Sequence, residues 1–433
     1  MFLQNLKFEL NYHRQQYAFY VMAGIVFLLF FLATATPNVT IGGSAPNVNL
    51  NATTAIFNSL QVVSFFSVLM SISFTANSVL RDYDFKTIEF FLSRPLSKVG
   101  FIYGRFAGSF FFGFLVYLAG LLGILIGELM PWLDPERLGP FSFTPYIYGT
   151  LLGGLPNLFI FSCIFFCVAA ITRSLGYTYA VGMGLLMLNI LLEFFTDRET
   201  IQLTSILDPF GTTAIDELTR YWTPYELNRN LPSFSGPILV NRVFWLFVAG
   251  FCLAVSYKFY PFSINRSGKK NTEGAHNEAA SWVISSPVRK FSQRFDTSAQ
   301  FLQFLSQTKF EIRNIVFSLP FVIVMVFGMI LVVAGAIGNL GDIAGTPVYP
   351  TTSNMMDVIN GVFAFPLLAV LVYMSGDMMA RERTTHSNEI MDAMPFPNWV
   401  MISAKWVGLT TVIVLMLLAV IMAAILFQLA NGY

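Results

Sequence analysis

Long uninterrupted runs of apolar residues restrict this chain to structures that lipid can surround. A membrane-spanning helix needs about 20 apolar residues, and nine stretches reach or approach that length. They are residues 17–35, 56–80, 99–129, 146–172, 175–195, 238–260, 316–337, 358–379 and 399–429. Only 11% of the residues are charged, against about 25% in ordinary soluble domains. The sequence predicts an all-α polytopic membrane protein with about nine transmembrane helices.

The placement of Lys and Arg predicts how these spans are oriented, because basic residues are retained on the cytoplasmic side. With a cytoplasmic N-terminus, 20 of the 25 basic residues fall in cytoplasmic segments or at cytoplasmic span ends. The five exceptions are Arg137, Arg198, Arg220, Arg229 and Arg242. We therefore expect a multi-pass protein of the cell membrane (a plasma or inner membrane). A net charge of +1 does not favour binding to nucleic acid.

The chain also contains an internal repeat. Matching residues are separated by 300 positions. They are Arg81, Asp82, Thr87, Glu89, Pro95, Ile102, Arg105 and Gly108, followed by Arg381, Glu382, Ser387, Glu389, Pro395, Ile402, Lys405 and Gly408. Residues 7–10 recur as residues 309–312. The repeat predicts a six-span first unit (1–262), a polar cytoplasmic linker (263–304) and a parallel second unit (305–433) that is incomplete, with three spans. Either the chain is a fragment of a longer protein or its second half is degenerate.

Two cytoplasmic segments, 81–98 and 381–398, concentrate charge next to a proline that ends or kinks a helix. Such a segment suits docking of a soluble partner, and the alternative is a solvated loop that serves only the topology. Glu89 and Glu389 are acidic where basic residues are expected. Amphipathic stretches precede the first span of each unit, and they predict either helices in the membrane interface or extensions of the spans.

Residues 81–97, RDYDFKTIEFFLSRPLS, resemble the cytoplasmic signature of type-2 ABC exporter permeases. This resemblance implies that each unit is a transmembrane half and that the charged segment contacts a separate ABC ATPase subunit. The residues implied in coupling are Arg81, Asp82, Thr87, Glu89, Pro95, Arg381, Glu382, Glu389 and Pro395. ATP and Mg²⁺ would be bound by the partner. The second unit departs from the signature at residues 390–394.

A closer resemblance is to bacterial chains in which two permease units precede a zinc aminopeptidase domain. It depends on the external loop around residues 207–211 and 219–223, with Glu226, Asn228, Asn241 and Arg242. The loop is either an ordered cap or a substrate contact.

No enzyme active site is predicted in this chain. The three histidines, His13, His276 and His386, do not form an H-E-x-x-H motif, and no phosphate-binding G-x-x-x-x-G-K-[ST] loop exists. Cys163, Cys167 and Cys252 lie in apolar runs and are expected to be buried rather than to bind metal. We therefore expect no cofactor in the chain itself.

Two functions remain open from the sequence. The first is a permease subunit that couples ATP hydrolysis by a separate ATPase subunit to export. The alternative is a membrane anchor or scaffold for a peptidase or another partner. The expected partners are the lipid bilayer, an ABC ATPase subunit, and either a further permease half or a second copy of the chain that completes the assembly.

Overall fold

A computed structural model describes residues 1–36, 47–85, 87–92, 97–196, 199–260, 296–340, 349–384, 389 and 397–432. All regular elements among these residues are helical. The α-helices are α1 (Phe2–Arg14), α2 (Tyr17–Ala35), α3 (Thr53–Asp84), α4 (Ile88–Leu92), α5 (Lys98–Glu128), α6 (Thr144–Gly149), α7 (Leu155–Thr172), α8 (Leu175–Phe194), α9 (Ile201–Leu207), α10 (Thr212–Thr219), α11 (Pro224–Arg229), α12 (Pro237–Phe259), α13 (Thr297–Val316), α14 (Leu319–Leu340), α15 (Thr352–Thr384) and α16 (Asn398–Ala430).

Eight helical spans among the described residues are long and apolar enough to cross a membrane. They are formed by α2, α3, α5, α6 with α7, α8, α12, α14 and α16. This finding confirms the prediction of a helical polytopic membrane protein. The predicted ninth span, residues 358–379, lies inside α15, which is not one of the eight. The count of nine spans therefore stays a prediction.

Local sequence signals explain several helix boundaries. The Ser97 hydroxyl accepts a hydrogen bond from the Gly100 amide and caps α5 at its N-terminus. Arg173, in the left-handed conformation, ends α7. Gly236 adopts a positive φ immediately before Pro237, the first residue of α12, where proline is well tolerated because its missing amide would be unpaired anyway. A π-helical turn, Thr150–Gly154, joins α6 to α7.

The long helices run in alternating directions, so their ends meet at two ends of a bundle. At the N-terminal end, α1 lies across the end of α3 and the start of α5; for example, the Asn5 side chain donates to the carbonyl of Gly100. At the opposite end, Asn51 exchanges two hydrogen bonds with the backbone of Gly139. The second set of helices repeats this arrangement, with α13 packed on α16, and it joins the first set where α14 packs along α8.

The predicted domain boundaries are only partly covered by the described residues. Most of the predicted linker, residues 263–295, lies outside them. Helix α13 begins at Thr297, so the last eight predicted linker residues, 297–304, are helical. Both amphipathic stretches form helices, α1 and α13.

Candidate functional site

Four charged residues meet where α1 crosses the end of α3 and the first turns of α5. We call Glu9, Arg81, Asp82 and Arg105 the first cluster. Nη2 of Arg81 lies 2.6 Å from Oε1 of Glu9, and Nη1 of Arg105 lies 2.5 Å from Oδ2 of Asp82. All four side chains are buried. Because two guanidinium groups face two carboxylates, the charges balance, and removal of one residue would leave a buried charge without its partner.

His13 lies one turn after Glu9 on α1, with its Nε2 atom 3.5 Å from a carboxylate oxygen of Glu9. Its ring is buried and contacts the rings of Phe74 and Phe112. Burial, and then the positive charge of Arg81, lower the pKa of His13 to about 4. His13 is therefore neutral at physiological pH, and its protonation would add charge to a buried site.

The ionisation of Glu9 depends on Arg81. Burial raises the pKa of the Glu9 carboxyl, whereas the hydrogen bond and the charge of Arg81 act in the opposite direction. Aromatic rings complete the enclosure of the two cations: the Arg81 guanidinium lies 3.9 Å from the Tyr12 ring centroid, and that of Arg105 lies 4.2 Å from the Phe101 centroid. Contacts of this kind favour a cation that has lost part of its water.

A second cluster repeats the two shortest ion pairs of the first between equivalent residues, and it joins α13 to the end of α15 and the start of α16. It consists of Glu311, Asp377, Arg381, Glu382 and Lys405. Arg381 Nη1 lies 3.7 Å from Glu311 Oε2, and Lys405 Nζ lies 2.8 Å from Glu382 Oε1. These two ion pairs correspond to the two pairs of the first cluster. Asp377 adds a third carboxylate to it, since Arg381 Nη2 lies 2.5 Å from Asp377 Oδ2.

The two clusters differ in their exposure to water. The Arg381 side chain is 29% exposed, whereas that of Arg81 is 6% exposed. Burial raises the pKa of Glu311, and the charges of Arg381 and Lys405 oppose this. Because water screens partly exposed ion pairs, we expect the second cluster to hold its helices together less strongly than the first.

A glycine on α5 and its counterpart on α16 allow α1 and α13 to approach closely. A Cβ atom added at Gly108 would lie 2.5 Å from the Cβ of Glu9, and one added at Gly408 would lie 3.2 Å from the Cβ of Glu311. The first distance is shorter than any normal contact between Cβ atoms. Glycine at position 108 is therefore required for α1 to lie as it does.

The structure places the predicted coupling residues in different environments. Arg81 and Asp82 are buried in the first cluster, and Arg381 and Glu382 lie in the second. Thr87 is half-buried, its amide donating to the carbonyl of Asp82. Residues 88–92 form α4, which includes Glu89, although the side chain of Glu89 is not among those described. Glu389 is exposed, and Pro95 and Pro395 lie outside the described residues.

Sequence reasoning did not assign a site role to several members of these clusters. Glu9, Arg105, Glu311 and Lys405 were part of the repeat, but Asp377 of the second cluster and His13 beside the first cluster were not. The available signal was the recurrence of Glu9 and Glu311 shortly before the first span of each unit. It did not indicate which residues these carboxylates contact.

No family of known proteins, no curated protein and no solved structure matches this chain. The resemblance to type-2 ABC exporter permeases therefore depends on the residues quoted for it, and it stays a prediction. The geometry of the clusters stands independently of that resemblance.

At the opposite end of the bundle, Asp208 organises the loop that precedes α12. The Asp208 carboxylate is buried and accepts hydrogen bonds from the amides of Phe210 and Thr213 and from the side chains of Asn189 and Thr212. The loop residues quoted for the closer resemblance therefore form an ordered structure with internal hydrogen bonds.

Arg242 on α12 connects that loop to the interior of the bundle. Its Nη2 atom donates to the Phe210 carbonyl at 2.8 Å, and Nη1 donates to Oδ1 of Asn157 at 2.7 Å. The Asn157 amide in turn donates to Gln61 and Ser64 of α3. Buried polar chains of this type fix the relative positions of the helices that they join.

Among the described residues, no group of three or more His, Cys, Asp or Glu side chains is arranged to hold a metal ion. Cys163 and Cys167 are buried free thiols, as expected from the sequence, and Cys252 is a half-buried one. The charged side chains of the two clusters form ion pairs that link helices.

Proposed function

We propose that this chain is the transmembrane permease subunit of an ATP-driven ABC exporter, in which a separate ATPase subunit acts on segments 81–98 and 381–398. The observation that carries the proposal is the pair of equivalent charged clusters, because each cluster lies at the base of one of these segments. The proposal also rests on the resemblance of residues 81–97 to the signature of such permeases.

The first cluster provides a physical route from the segment to the spans. Arg81 and Asp82 belong to the last turns of α3, and Arg105 belongs to the second turn of α5. Both helices are tied to α1 through Glu9. A displacement of the intervening segment would therefore move α1 and the ends of both spans together. Within this proposal, Arg81 and Asp82 position the segment and do not contact the partner themselves.

Direct contact with the partner is assigned to residues that the bundle leaves accessible. Glu389 is exposed, and Phe90 of α4 is 76% exposed. Two contact segments at the same end of one chain suit a partner that presents two similar surfaces. In this arrangement ATP and Mg²⁺ belong to the ATPase subunit, the N-terminus is cytoplasmic, and the chain resides in the cell membrane, which is the inner membrane in a bacterial cell.

Purification of the tagged chain from its source membranes tests the proposal. We expect a Walker-motif ATPase to copurify in a fixed stoichiometry and to hydrolyse ATP in a vanadate-sensitive manner. The variant Glu389→Lys should reduce the recovered ATPase at least tenfold, because it reverses the charge of an exposed contact residue. Glu136→Lys is the matched control, since Glu136 is also exposed but lies at the opposite end of the bundle.

Two outcomes would contradict the proposal. If Glu389→Lys and Glu136→Lys retained the same amount of ATPase, the assigned contact would be wrong. Recovery of a peptidase without any Walker-motif ATPase would instead favour the membrane anchor.

A further inference from the structure

Two lysines lie at the N-terminal end of the bundle, where α5 begins and α12 ends. Lys98 is the first residue of α5, and Lys258 belongs to the last turn of α12. Lys98 is half-buried, and Lys258 is exposed. Among the described residues, neither lysine forms an ion pair. Their positive charges are therefore not balanced by a carboxylate in the part of the chain that the structure describes.

Tyr257 of α12 brings the two lysines to one place. Nζ of Lys98 lies 4.8 Å from the centroid of the Tyr257 ring, and Lys258 is the next residue on α12. The Tyr257 ring also stacks on the ring of Tyr103 of α5, with the two centroids 6.4 Å apart. The distribution of basic residues explains a lysine at this end of a span. It does not explain why Lys98 is half-buried against the ring of another helix.

An apolar groove extends from this tyrosine pair toward the middle of the bundle, between α5 and α12. The two helices contact α7 more than they contact each other. Phe110 of α5 and Phe159 of α7 are half-buried, with ring centroids 5.8 Å apart. Gly250 of α12 is exposed, and no atom lies within 4 Å of a Cβ added to it. Because Gly250 lies two helical turns before Tyr257, this open space is on the same face of α12 as the tyrosine.

These features match the chemistry of a phospholipid whose headgroup is negatively charged. Ammonium groups at the level of the headgroups attract anionic lipids, and basic pockets between transmembrane helices on the cytoplasmic side bind such headgroups. The Tyr257 side chain is 39% exposed, so its hydroxyl can donate to a phosphate oxygen. The groove offers apolar side chains to an acyl chain. A soluble anion would contact the lysines but not the groove.

We propose that α5 and α12 bind one anionic phospholipid of the cytoplasmic leaflet. Its phosphate lies between Lys98 and Lys258 and accepts a hydrogen bond from Tyr257, and an acyl chain lies along Phe159 and Gly250. The leaflet follows from the predicted orientation of the spans. Lys98 is also the last residue of segment 81–98, but lipid binding is measured without an ATPase. A failure of the lipid proposal would therefore be distinguishable from a failure of the proposed coupling.

The second unit does not repeat this chemistry. The positions that correspond to Lys98 and Tyr103 are Asn398 and Ser403. The two cations of the first cluster, in contrast, both have a positively charged counterpart in the second cluster. The repeat therefore preserves the cations that link helices but not the lysine beside the groove. The lipid site is a feature of the first unit and not of the repeated fold.

Native mass spectrometry of the full chain in detergent tests the headgroup contact. Phosphatidylglycerol should bind at one site about 25-fold more tightly than phosphatidylcholine with the same acyl chains, since each of the two lysines contributes about fivefold. Lys98→Gln and Lys258→Gln should each weaken the binding of phosphatidylglycerol about fivefold. Lys309→Gln is the matched control, because Lys309 is an exposed lysine of α13 at the same end of the bundle. It should bind phosphatidylglycerol like the unmodified chain.

The variant Gly250→Leu tests the position of the acyl chain. A leucine side chain would occupy the groove, so phosphatidylglycerol should bind at least about fivefold more weakly. Gly24→Leu is the control, because Gly24 of α2 likewise has no atom within 4 Å of an added Cβ. Without added lipid, both variants should keep the thermal unfolding midpoint of the unmodified chain. Equal binding of phosphatidylglycerol by the two variants would overturn the assigned groove.

Competition with inorganic phosphate distinguishes a lipid headgroup from a free anion. A large molar excess of inorganic phosphate should not displace phosphatidylglycerol, because the free anion makes no contact in the groove. Displacement would overturn the proposal and make a soluble anion the ligand.

Two further results would overturn the proposal. The first is equal affinity of the unmodified chain for phosphatidylglycerol and phosphatidylcholine, since the two lysines would then not select a negative headgroup. The second is binding of phosphatidylglycerol by Lys98→Gln and Lys258→Gln that is as tight as binding by Lys309→Gln.

Discussion

At the scale of single residues, His13 is the clearest case of a group whose properties come from its surroundings. The ring is buried near Glu9 and Arg81, and its pKa is lowered to about 4. Its counterpart in the second unit is Ile315, which is buried to the same extent. One position of the fold thus holds a titratable side chain in one unit and an aliphatic one in the other.

This difference predicts a pH-dependent stability that His13→Ile removes. The unfolded chain takes up a proton near pH 6.5 and the folded chain only near pH 4, so the free energy of unfolding falls as the pH falls through this interval. At pH 5 the lowered pKa of His13 reduces the free energy of unfolding by about 2 kcal/mol. The thermal unfolding midpoint in detergent should decrease from pH 7 to pH 5 more in the original protein than in His13→Ile. Glu9 contributes to the pH dependence in the opposite direction, but it is present in both proteins. Equal decreases would therefore contradict the assignment of the pH-dependent stability to His13.

At the scale of helices, α1 packs on α5 and α13 packs on α16 through equivalent contacts that differ in how closely the helices approach. Both contacts bring a glutamate of the short helix against a glycine of the long helix. The first contact is tighter, and the ion pairs beside it are better buried. The first junction is therefore the more rigid of the two.

The two glycines provide a matched pair of variants. Gly108→Ala should lower the free energy of unfolding by about 1–3 kcal/mol, because the added methyl group would displace α1 from its ion pairs. Gly408→Ala should change it by less than about 1 kcal/mol, since a shift of a few tenths of an ångström relieves the contact and alanine favours the helix. Thermal unfolding of both variants in detergent checks this expectation. Equal losses in the two variants would show that the junctions are equally tight.

At the scale of the whole molecule, the two ends of the bundle have different chemistry. The N-terminal end carries both charged clusters, whereas the opposite end carries loops joined by neutral hydrogen bonds and the Asp208 network. The prediction that the N-terminal end faces the cytoplasm follows from the distribution of basic residues.

Labelling of single introduced cysteines tests this orientation. A membrane-impermeant maleimide should label Glu136→Cys in intact cells, and it should label Glu389→Cys only after the membrane is permeabilised. Both residues are exposed, so a difference in labelling reports the side of the membrane and not burial. Labelling of Glu389→Cys alone in intact cells would reverse the topology, and with it the side on which an ATPase could act.

The sequence alone determined the helical spans and the segments where charges collect. The span that begins at Tyr17 has the predicted boundaries, and most of the others differ from prediction by a few residues. This accuracy has a physical reason: the thickness of the bilayer sets the length of each apolar run, and each helix satisfies its own backbone hydrogen bonds. Both constraints act within one segment, so they can be read without knowledge of the rest of the chain.

Only the tertiary structure decided which charges are buried and which apolar residues are covered. Arg81 is buried because it pairs with Glu9 of α1. The two residues are 72 positions apart in the sequence, so no local pattern encodes their contact. Trp406 and Phe106 are both aromatic, yet one is exposed and the other buried. Lipid and protein interiors accept the same apolar residues, so only the positions of neighbouring helices distinguish a face that meets lipid from one that meets protein.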